Sequence, residues 1–241
     1  MTIVIGNGLI SNAYKNFLDQ KEFVDNSVII LASGVSDSLE KNSDNFVREY
    51  ELIKKVIIDN PNSYFIYFSS CFVESGLDTP YIRHKLNMEK NIKLLAKRFT
   101  IFRIPQVVGL VSNKTIVSDF TRKIIYRDKI IIQKNSSRNL IDVEDIVRIS
   151  IFLVNKKAIC GKIVNISTKY SASPKQIAIY IGKMLNIEPL LIEIDQGYLQ
   201  VVDIFPLIKL VGKNDIIFKK EYWKLVLDKY VLKLKKELLI S

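Results

Sequence analysis

An α/β fold built on a parallel sheet is what this 241-residue chain predicts, on three observations. Short apolar runs alternate with amphipathic stretches through the first half, as strands and helices alternate around a parallel sheet. The first run begins almost at the first residue and meets a glycine turn at once. Later runs end in small polar residues, as strands do where open α/β sheets bind their ligands.

In order, Thr2 to Ile5 reads as a strand, and Gly6-Asn7-Gly8 as the turn after it. Apolar positions 9, 10, 13, 14, 17 and 18 then recur at helical spacing. This is the context of a phosphate-binding turn. Gly6 permits the tight bend, Gly8 lets backbone approach a pyrophosphate, and the helix N-terminus faces the anion. Ser11 stands where a third small residue allows close packing. Val28 to Ala32 is the next strand, followed by a serine-rich turn from Ser33 and Gly34 to Ser38. Phe46 to Ile58 reads as a helix with Val47, Tyr50, Ile53 and Ile57 inward. Tyr64 to Ser69 is the third strand, Pro80 to Arg98 a helix, and Thr100 to Ile104 the fourth strand.

The second half is less regular. Helices are expected over Ile116 to Tyr126, from about Asp145 to Asn155, over Pro174 to Leu185 and over Lys219 to Leu239. Strands are expected over Lys129 to Gln133 and Lys162 to Ile166, and the region after Glu188 gives no clear pattern. The parts divide as 1–110, a nucleotide-binding part, and 111–241, mostly a smaller lobe, with 139–170 returning to the first part.

Apolar content of 48% and mean hydropathy of +0.14 fit a globular chain. No apolar run approaches the length of a membrane span, and Asp203, Pro206 and Lys209 break the longest late one. There is no basic leader with a cleavage site, so a cytoplasmic protein is expected. Cys71 and Cys160 are too few for a disulfide framework, and the lone His84 rules out a histidine-rich metal centre. His84 is expected on the solvent side of its helix. The net charge of +11 suits a phosphorylated small molecule, and a solvated surface without a role fits it as well. The basic residues are spread, apart from a tail near Lys229 to Lys236, and carry no nucleic-acid motif, so no specific nucleic-acid binding is expected.

The chemistry concentrates between Ser69 and Lys85. Ser69 and Ser70 close a buried strand. Thr79 as N-cap and Pro80 at the first helical position start the next helix. On a 3.6-residue period Tyr81, Lys85, Met88, Ile92 and Leu95 share its inner face. A lysine there is either a snorkelling residue beside a core tyrosine or part of a proton-transfer site. In the second reading its ammonium favours phenolate and draws the Tyr81 pKa down from about 10. A serine hydroxyl would hold the substrate oxygen against that phenol.

Taken together, Gly6-x-Gly8-Leu9-Ile10, Ala32-Ser33-Gly34, Phe68-Ser69-Ser70, Pro80-Tyr81-x-x-x-Lys85, Arg103-Ile104-Pro105-Gln106-Val107-Val108-Gly109 and Arg138-Asn139-Leu140-Ile141-Asp142-Val143-Glu144-Asp145 resemble the extended short-chain dehydrogenase/reductase family. The likeness is to its nucleotide-sugar epimerases, dehydratases and keto-reductases, and it covers residues 3 to about 166. The resemblance implies a Rossmann-like doubly wound sheet with a C-terminal substrate-binding lobe, and NAD or NADP as cofactor. It implies Ser70, Tyr81 and Lys85 as the catalytic group. Gly6, Gly8, Leu9, Ile10, Ala32, Ser33, Gly34, Ile104 and Lys85 would border the cofactor. Gln106, Arg138 and Cys71 would meet a nucleotide-sugar substrate, Arg138 gripping its diphosphate. Asp145 is expected to be structural.

Three departures qualify it. Cys71 and Phe72 stand where the sugar dehydratases carry Asp-Glu, so water elimination is discounted. Ser70 and Tyr81 stand closer in sequence than is usual in the family. Only Asp19 to Ser27 separates the first helix from the next strand, too little for a crossover to two further strands. The family's second and third strands are therefore expected to be missing. Val28 to Ala32 then matches its fourth strand, and Thr2 to Ile5 becomes a sheet edge. The adenosine end of the cofactor is gripped less, or a partner subunit in a homodimer completes the site. The leading expectation is a keto-sugar reductase. An epimerase with tightly held NAD and a non-catalytic binder of dinucleotides or sugar nucleotides are the alternatives.

Overall fold

The computed structural model describes residues 2–18, 27–110, 115–199 and 201–240. In chain order its strands are β1 (Ile3–Ile5), β2 (Val28–Leu31), β3 (Tyr64–Ser70), β4 (Arg98–Ile104), β5 (Gln106–Val108), β6 (Ile130–Gln133), β7 (Leu140–Asp142), β8 (Lys162–Asn165) and β9 (Leu191–Ile194). Its α-helices are α1 (Leu9–Leu18), α2 (Ser43–Asp59), α3 (Pro80–Leu95), α4 (Ile116–Ile125), α5 (Val143–Asn155), α6 (Pro174–Leu185), α7 (Phe205–Val211) and α8 (Tyr222–Ile240). The chain divides into two compact units, one of residues 1–104, 144–166 and 202–212, the other of 105–143, 167–201 and 213–241.

The first unit is built on a parallel sheet of order β1-β2-β3-β4-β8. Strand β2 is buried along its whole length and β3 nearly so, as strands covered on both faces must be. Each Val, Ile or Leu of β2 taken fully out of water contributes about 1.5–3 kcal/mol. Ile29, Leu31, Phe65, Tyr67, Phe99 and Ile101 pack with Ile53 and Ile57 of α2 and Met88 and Ile92 of α3. Side chains alternate along a strand, so Phe68 points to the opposite face from Tyr67. There it meets Phe102 and Tyr14 of α1, at 6.0 and 5.9 Å between ring centres. Tyr14 also bonds to Ser150 of α5. Helices α2 and α3 thus cover one face, and α1 with α5 the other.

The steps from β1 to β2 and from β2 to β3 move the same way across the sheet, yet α1 and α2 lie on opposite faces. The two crossovers therefore have opposite hands, although one hand dominates in such units. As expected, β1 is a sheet edge. Among the described residues no strand lies between α1 and β2. Most of the stretch from Asp19 to Ser27 lies outside the described residues.

Local signals set the helix starts. Thr79 accepts a bond from the Ile82 N–H, with Pro80 at the first position of α3. Ser173 and Gln176 form a capping box before Pro174 of α6, and Thr115 with Ser118 forms one for α4. Helix α3 stops at Leu95 rather than Arg98, because β4 already begins at Arg98, and Leu95, expected on the inner face, is exposed in the last turn.

In the second unit β5 pairs with β7 and β6 with β9, both parallel. Asp142, buried at the end of β7, accepts bonds from Lys229 (2.7 Å) and Tyr230 (2.6 Å) of α8. Its own N–H donates to the Tyr222 hydroxyl at 3.1 Å.

Candidate functional site

The glycine turn and the serine–tyrosine–lysine group both belong to the first unit. Strand β1 leads to α1 on one face, and β2 leads to α2 on the other. Adjacent strands whose connections leave to opposite faces part at their carboxyl ends, which is where such sheets bind ligands. The strand order here has no reversal, yet this parting survives at Gly6 and Gly8 on one side and Ala32, Ser33 and Gly34 on the other.

Gly6 has φ +130°, and a Cβ there would sit 2.3 Å from the Ala32 carbonyl oxygen. No side chain fits, so the two turns touch through backbone alone. Nothing lies within 4 Å of where a Gly8 Cβ would stand. That open space, beside the first-turn N–H groups of α1 at Leu9 and Ile10, suits an approaching pyrophosphate. Lys15 reaches back to the Gly6 carbonyl at 3.0 Å, and the buried Ser11 hydroxyl donates to the Gly8 carbonyl at 2.8 Å. The residues present fit the diphosphate part of a dinucleotide.

Strand β3 ends at Ser70, whose hydroxyl caps the short 3-10 turn Cys71–Glu74 by accepting the Phe72 N–H at 3.1 Å. The same hydroxyl stands near enough to Tyr81, which is buried on the first turn of α3, to act on its pKa. One turn on, the Lys85 ammonium lies 5.8 Å from the centre of the Tyr81 ring. Ser70, Tyr81 and Lys85 are therefore brought together.

Their electrostatics differ from the sequence expectation. Lys85 is buried and bound to Glu49 of α2, at 3.0 and 3.3 Å to its two carboxylate oxygens. It also donates to the Tyr67 hydroxyl at 3.1 Å. Glu49, with no exposed surface, takes further bonds from Tyr67 (2.7 Å), His84 (2.8 Å) and the Val35 N–H (2.6 Å). Burial opposes its charge, but the Lys85 ammonium and these bonds prevail and hold its pKa at about 2. Burial moves Lys85 down from the ordinary lysine value, against the pull of Glu49. Tyr81 is raised to about 12, first by burial and then by Glu49, Asp37 and Cys71, with the Ser70 bond acting the other way. The phenol is thus not drawn down by its lysine: burial holds it up first and the Glu49 charge adds to that, while the Lys85 ammonium is bound to Glu49.

Two further expectations are corrected. His84 is buried, bonded to Glu49 and stacked on Phe46 at 4.6 Å, rather than facing solvent. Cys71 has no exposed surface, and burial pushes its thiol up, so its side chain is not presented to a substrate. Ser69, beside Ser70, is occupied structurally: it donates to Glu89 at 2.6 Å, and Arg103 clamps the same carboxylate. Ile104 is buried at the end of β4.

Glu49 was not anticipated. Residues 49, 53 and 57 share one face of α2, so the inward stripe runs through Glu49, while Val47 is 58% exposed. Gly34 packs directly on this cluster. A Cβ there would meet a Glu49 oxygen at 2.7 Å and Lys85 Nζ at 2.8 Å.

Gln106 and Arg138 belong to the second unit. Gln106 is exposed at the start of β5. Arg138 is half-buried and bridges by backbone to Ala172 at 2.8 and 2.9 Å. Its guanidinium donates to the Ser137 carbonyl at 3.0 Å and makes no ion pair with a carboxylate among the described residues. Among those residues there is no cluster of metal-ligating side chains, and no helix is long and apolar enough to cross a membrane.

No protein-family profile matches the chain, and no curated protein matches it by sequence. Solved structures do. RMD from Pseudomonas aeruginosa in complex with NADPH superposes with a TM-score of 0.80 at 13% identity, over 98% of this chain and 99% of that one. A UDP-galactose 4-epimerase gives 0.79 at 13% identity, over 98% and 99%. A dTDP-4-dehydrorhamnose reductase from Clostridium acetobutylicum gives 0.73 at 14% identity, over 97% and 99%. The fold is the one shared by these extended short-chain dehydrogenases/reductases, a group of nucleotide-sugar epimerases, dehydratases and reductases.

Proposed function

We propose that the chain is an oxidoreductase that uses NAD or NADP on a nucleotide-activated sugar, and that it reduces a keto-sugar. The observation that carries this reading is Tyr81 with the Lys85 ammonium 5.8 Å from the centre of its ring, one turn apart on α3, and Ser70 at the carboxyl end of β3. It lies in the same unit as a glycine turn able to take a pyrophosphate, and in a fold whose neighbours include sugar-nucleotide reductases and epimerases.

A bound nicotinamide supplies or accepts the hydride. Gly6, Gly8 and the start of α1 hold the diphosphate of that dinucleotide through backbone N–H groups. Ala32, Ser33, Gly34 and Ile104 border it. Ser70 hydrogen-bonds the sugar oxygen and orients it toward Tyr81, whose hydroxyl exchanges the proton. Lys85 fixes the ring environment of Tyr81 from one helical turn away. Within the second unit, Arg138, which makes no carboxylate ion pair among the described residues, suits a diphosphate, and Gln106 suits a sugar hydroxyl.

The test is nicotinamide oxidation by the purified protein with NADPH or NADH and dTDP-4-dehydrorhamnose. Turnover is expected, and Tyr81→Phe should lower it by about 10²- to 10⁴-fold while leaving NADPH binding in place. Equal turnover before and after that change would remove Tyr81 from the chemistry. Purified protein that carries tightly bound NAD and inverts a sugar hydroxyl without net redox would replace the reductase reading with an epimerase. Dinucleotide binding without turnover on any sugar nucleotide would leave a binding protein.

A further inference from the structure

We propose that Glu49 is a positioning residue: by engaging the Lys85 ammonium it keeps Tyr81 loaded as a proton donor, which commits the site to carbonyl reduction. This inference rests on the proposed function and deepens it.

A carboxylate is seldom buried without a partner, since the desolvation it suffers must be offset by opposite charge and hydrogen bonds. Here the partner is the one cation that stands beside the acid/base tyrosine. Glu49 is itself held from three elements. The Val35 N–H comes from the loop after β2, Tyr67 from β3, and His84 and Lys85 from α3. The clamp fixes the carboxylate independently of any ligand, and it leaves Lys85 facing Glu49 and Tyr67 rather than acting on Tyr81 alone.

The groups around Tyr81 decide what remains. Lys85 stands 5.8 Å from the centre of its ring on α3, and the groups that act on its charge are Ser70 at the end of β3, Glu49 of α2, Asp37 of the loop after β2 and Cys71 of the 3-10 turn after β3. Glu89 and Tyr67 stand behind Lys85, and Glu89 is itself clamped by Arg103. Once Glu49 is paired with Lys85, no uncompensated positive charge in this set favours phenolate. The phenol therefore keeps its proton near neutral pH.

Proton state sets the direction in which such a site is ready to work. In reduction the carbonyl carbon gains a hydride, with the reduced nicotinamide dinucleotide as reductant. The π pair moves to oxygen, and that oxygen takes the Tyr81 proton, leaving a phenolate that solvent reprotonates. A protonated Tyr81 is the required starting form. An epimerase must begin by withdrawing a hydroxyl proton from the sugar, and for that the phenolate is the starting form. The Glu49 clamp suits the first and disfavours the second.

The experiment follows Tyr81 directly, by the pH dependence of its ring 13Cζ resonance in tyrosine-labelled protein, assigned by its loss in Tyr81→Phe. In the unaltered protein the resonance should remain that of a phenol up to the ordinary value of about 10. In Glu49→Gln, which keeps size and one acceptor oxygen but removes the charge, the midpoint should fall by about one unit or more. The high-pH limit of dTDP-4-dehydrorhamnose reduction should fall with it. Glu49→Asp, which withdraws the carboxylate by one methylene, should move the midpoint the same way by less, and it serves if Glu49→Gln does not fold. A midpoint below about 9 in the unaltered protein, or one unmoved in both variants, overturns the inference. The titration needs no turnover. If the midpoints shift as expected while no sugar nucleotide is turned over, Glu49's hold on Tyr81 is supported and the proposed function is what fails.

Discussion

The turn after β1 rests on backbone, whereas the centre after β3 rests on buried side-chain charge. At Gly6 the chain touches the Ala32 carbonyl with no room for a Cβ, and β1 itself is three residues long at the edge of the sheet. At Tyr81 and Lys85 the strand behind is central, seven residues long and almost wholly buried, and Glu49 ties three elements together beneath it. The sheet is thus dense behind Tyr81 and Lys85 and thin at the glycine turn. Substitutions on the two sides should therefore fail differently.

The largest effect is expected at Glu49. Glu49→Ala leaves Lys85 buried without its counter-charge, and Tyr67, His84 and the Val35 N–H without an acceptor. A loss of about 3–5 kcal/mol in urea unfolding is expected. A loss under about 1 kcal/mol would show that water replaces the carboxylate. The same group gives a pH signature. Its pKa in the folded chain, about 2, lies below the ordinary 4.5, so its stabilisation is complete above the ordinary value and is lost as pH falls toward 2. Glu49→Gln should flatten that acid limb of the stability curve.

Next comes Gly6→Ala, which places a methyl against the Ala32 carbonyl at a positive φ. It should cost about 1–3 kcal/mol and abolish NADPH binding measured by calorimetry. Retained affinity would mean that the turn is not where the diphosphate sits. The smallest structural effect is expected at Gly8, where a Cβ meets nothing. Gly8→Ala should alter stability by no more than about 0.5 kcal/mol. It should still weaken NADPH binding, because the methyl fills the space left for the pyrophosphate. Unchanged affinity there would break the contrast between a turn built for fit and a turn built for a ligand.

Much of this was legible in the sequence, and the exceptions have physical causes. Tyr81, Lys85, Met88 and Ile92 were readable as one buried face because helical period and N-cap signals agreed. Glu49 and His84 were not, because composition argues that charged and polar side chains face water. Periodicity held the missing signal: 49 stands four residues before 53, and His84 stands one turn after Tyr81. The raised phenol of Tyr81 came first from its burial and then from the unseen Glu49 carboxylate, which also holds the lysine. Strands β5, β7 and β9 are three or four residues long and owe their existence to pairing with distant segments, which no local pattern reports. The sheet edge at β1, by contrast, followed from simple chain length between α1 and β2.

The edge position of β1 also has a thermodynamic consequence for recognition. A short outer strand, bonded on one side only among the described residues, is the kind of element that opens locally at little free-energy cost. The Gly6–Gly8 turn exists only while β1 is in place. A dinucleotide gripped there binds the docked fraction of molecules, and its apparent dissociation constant is the intrinsic one divided by that fraction. Affinity for the cofactor is in this way linked to the fraying of one three-residue strand, and whatever steadies that strand raises affinity without touching the ligand.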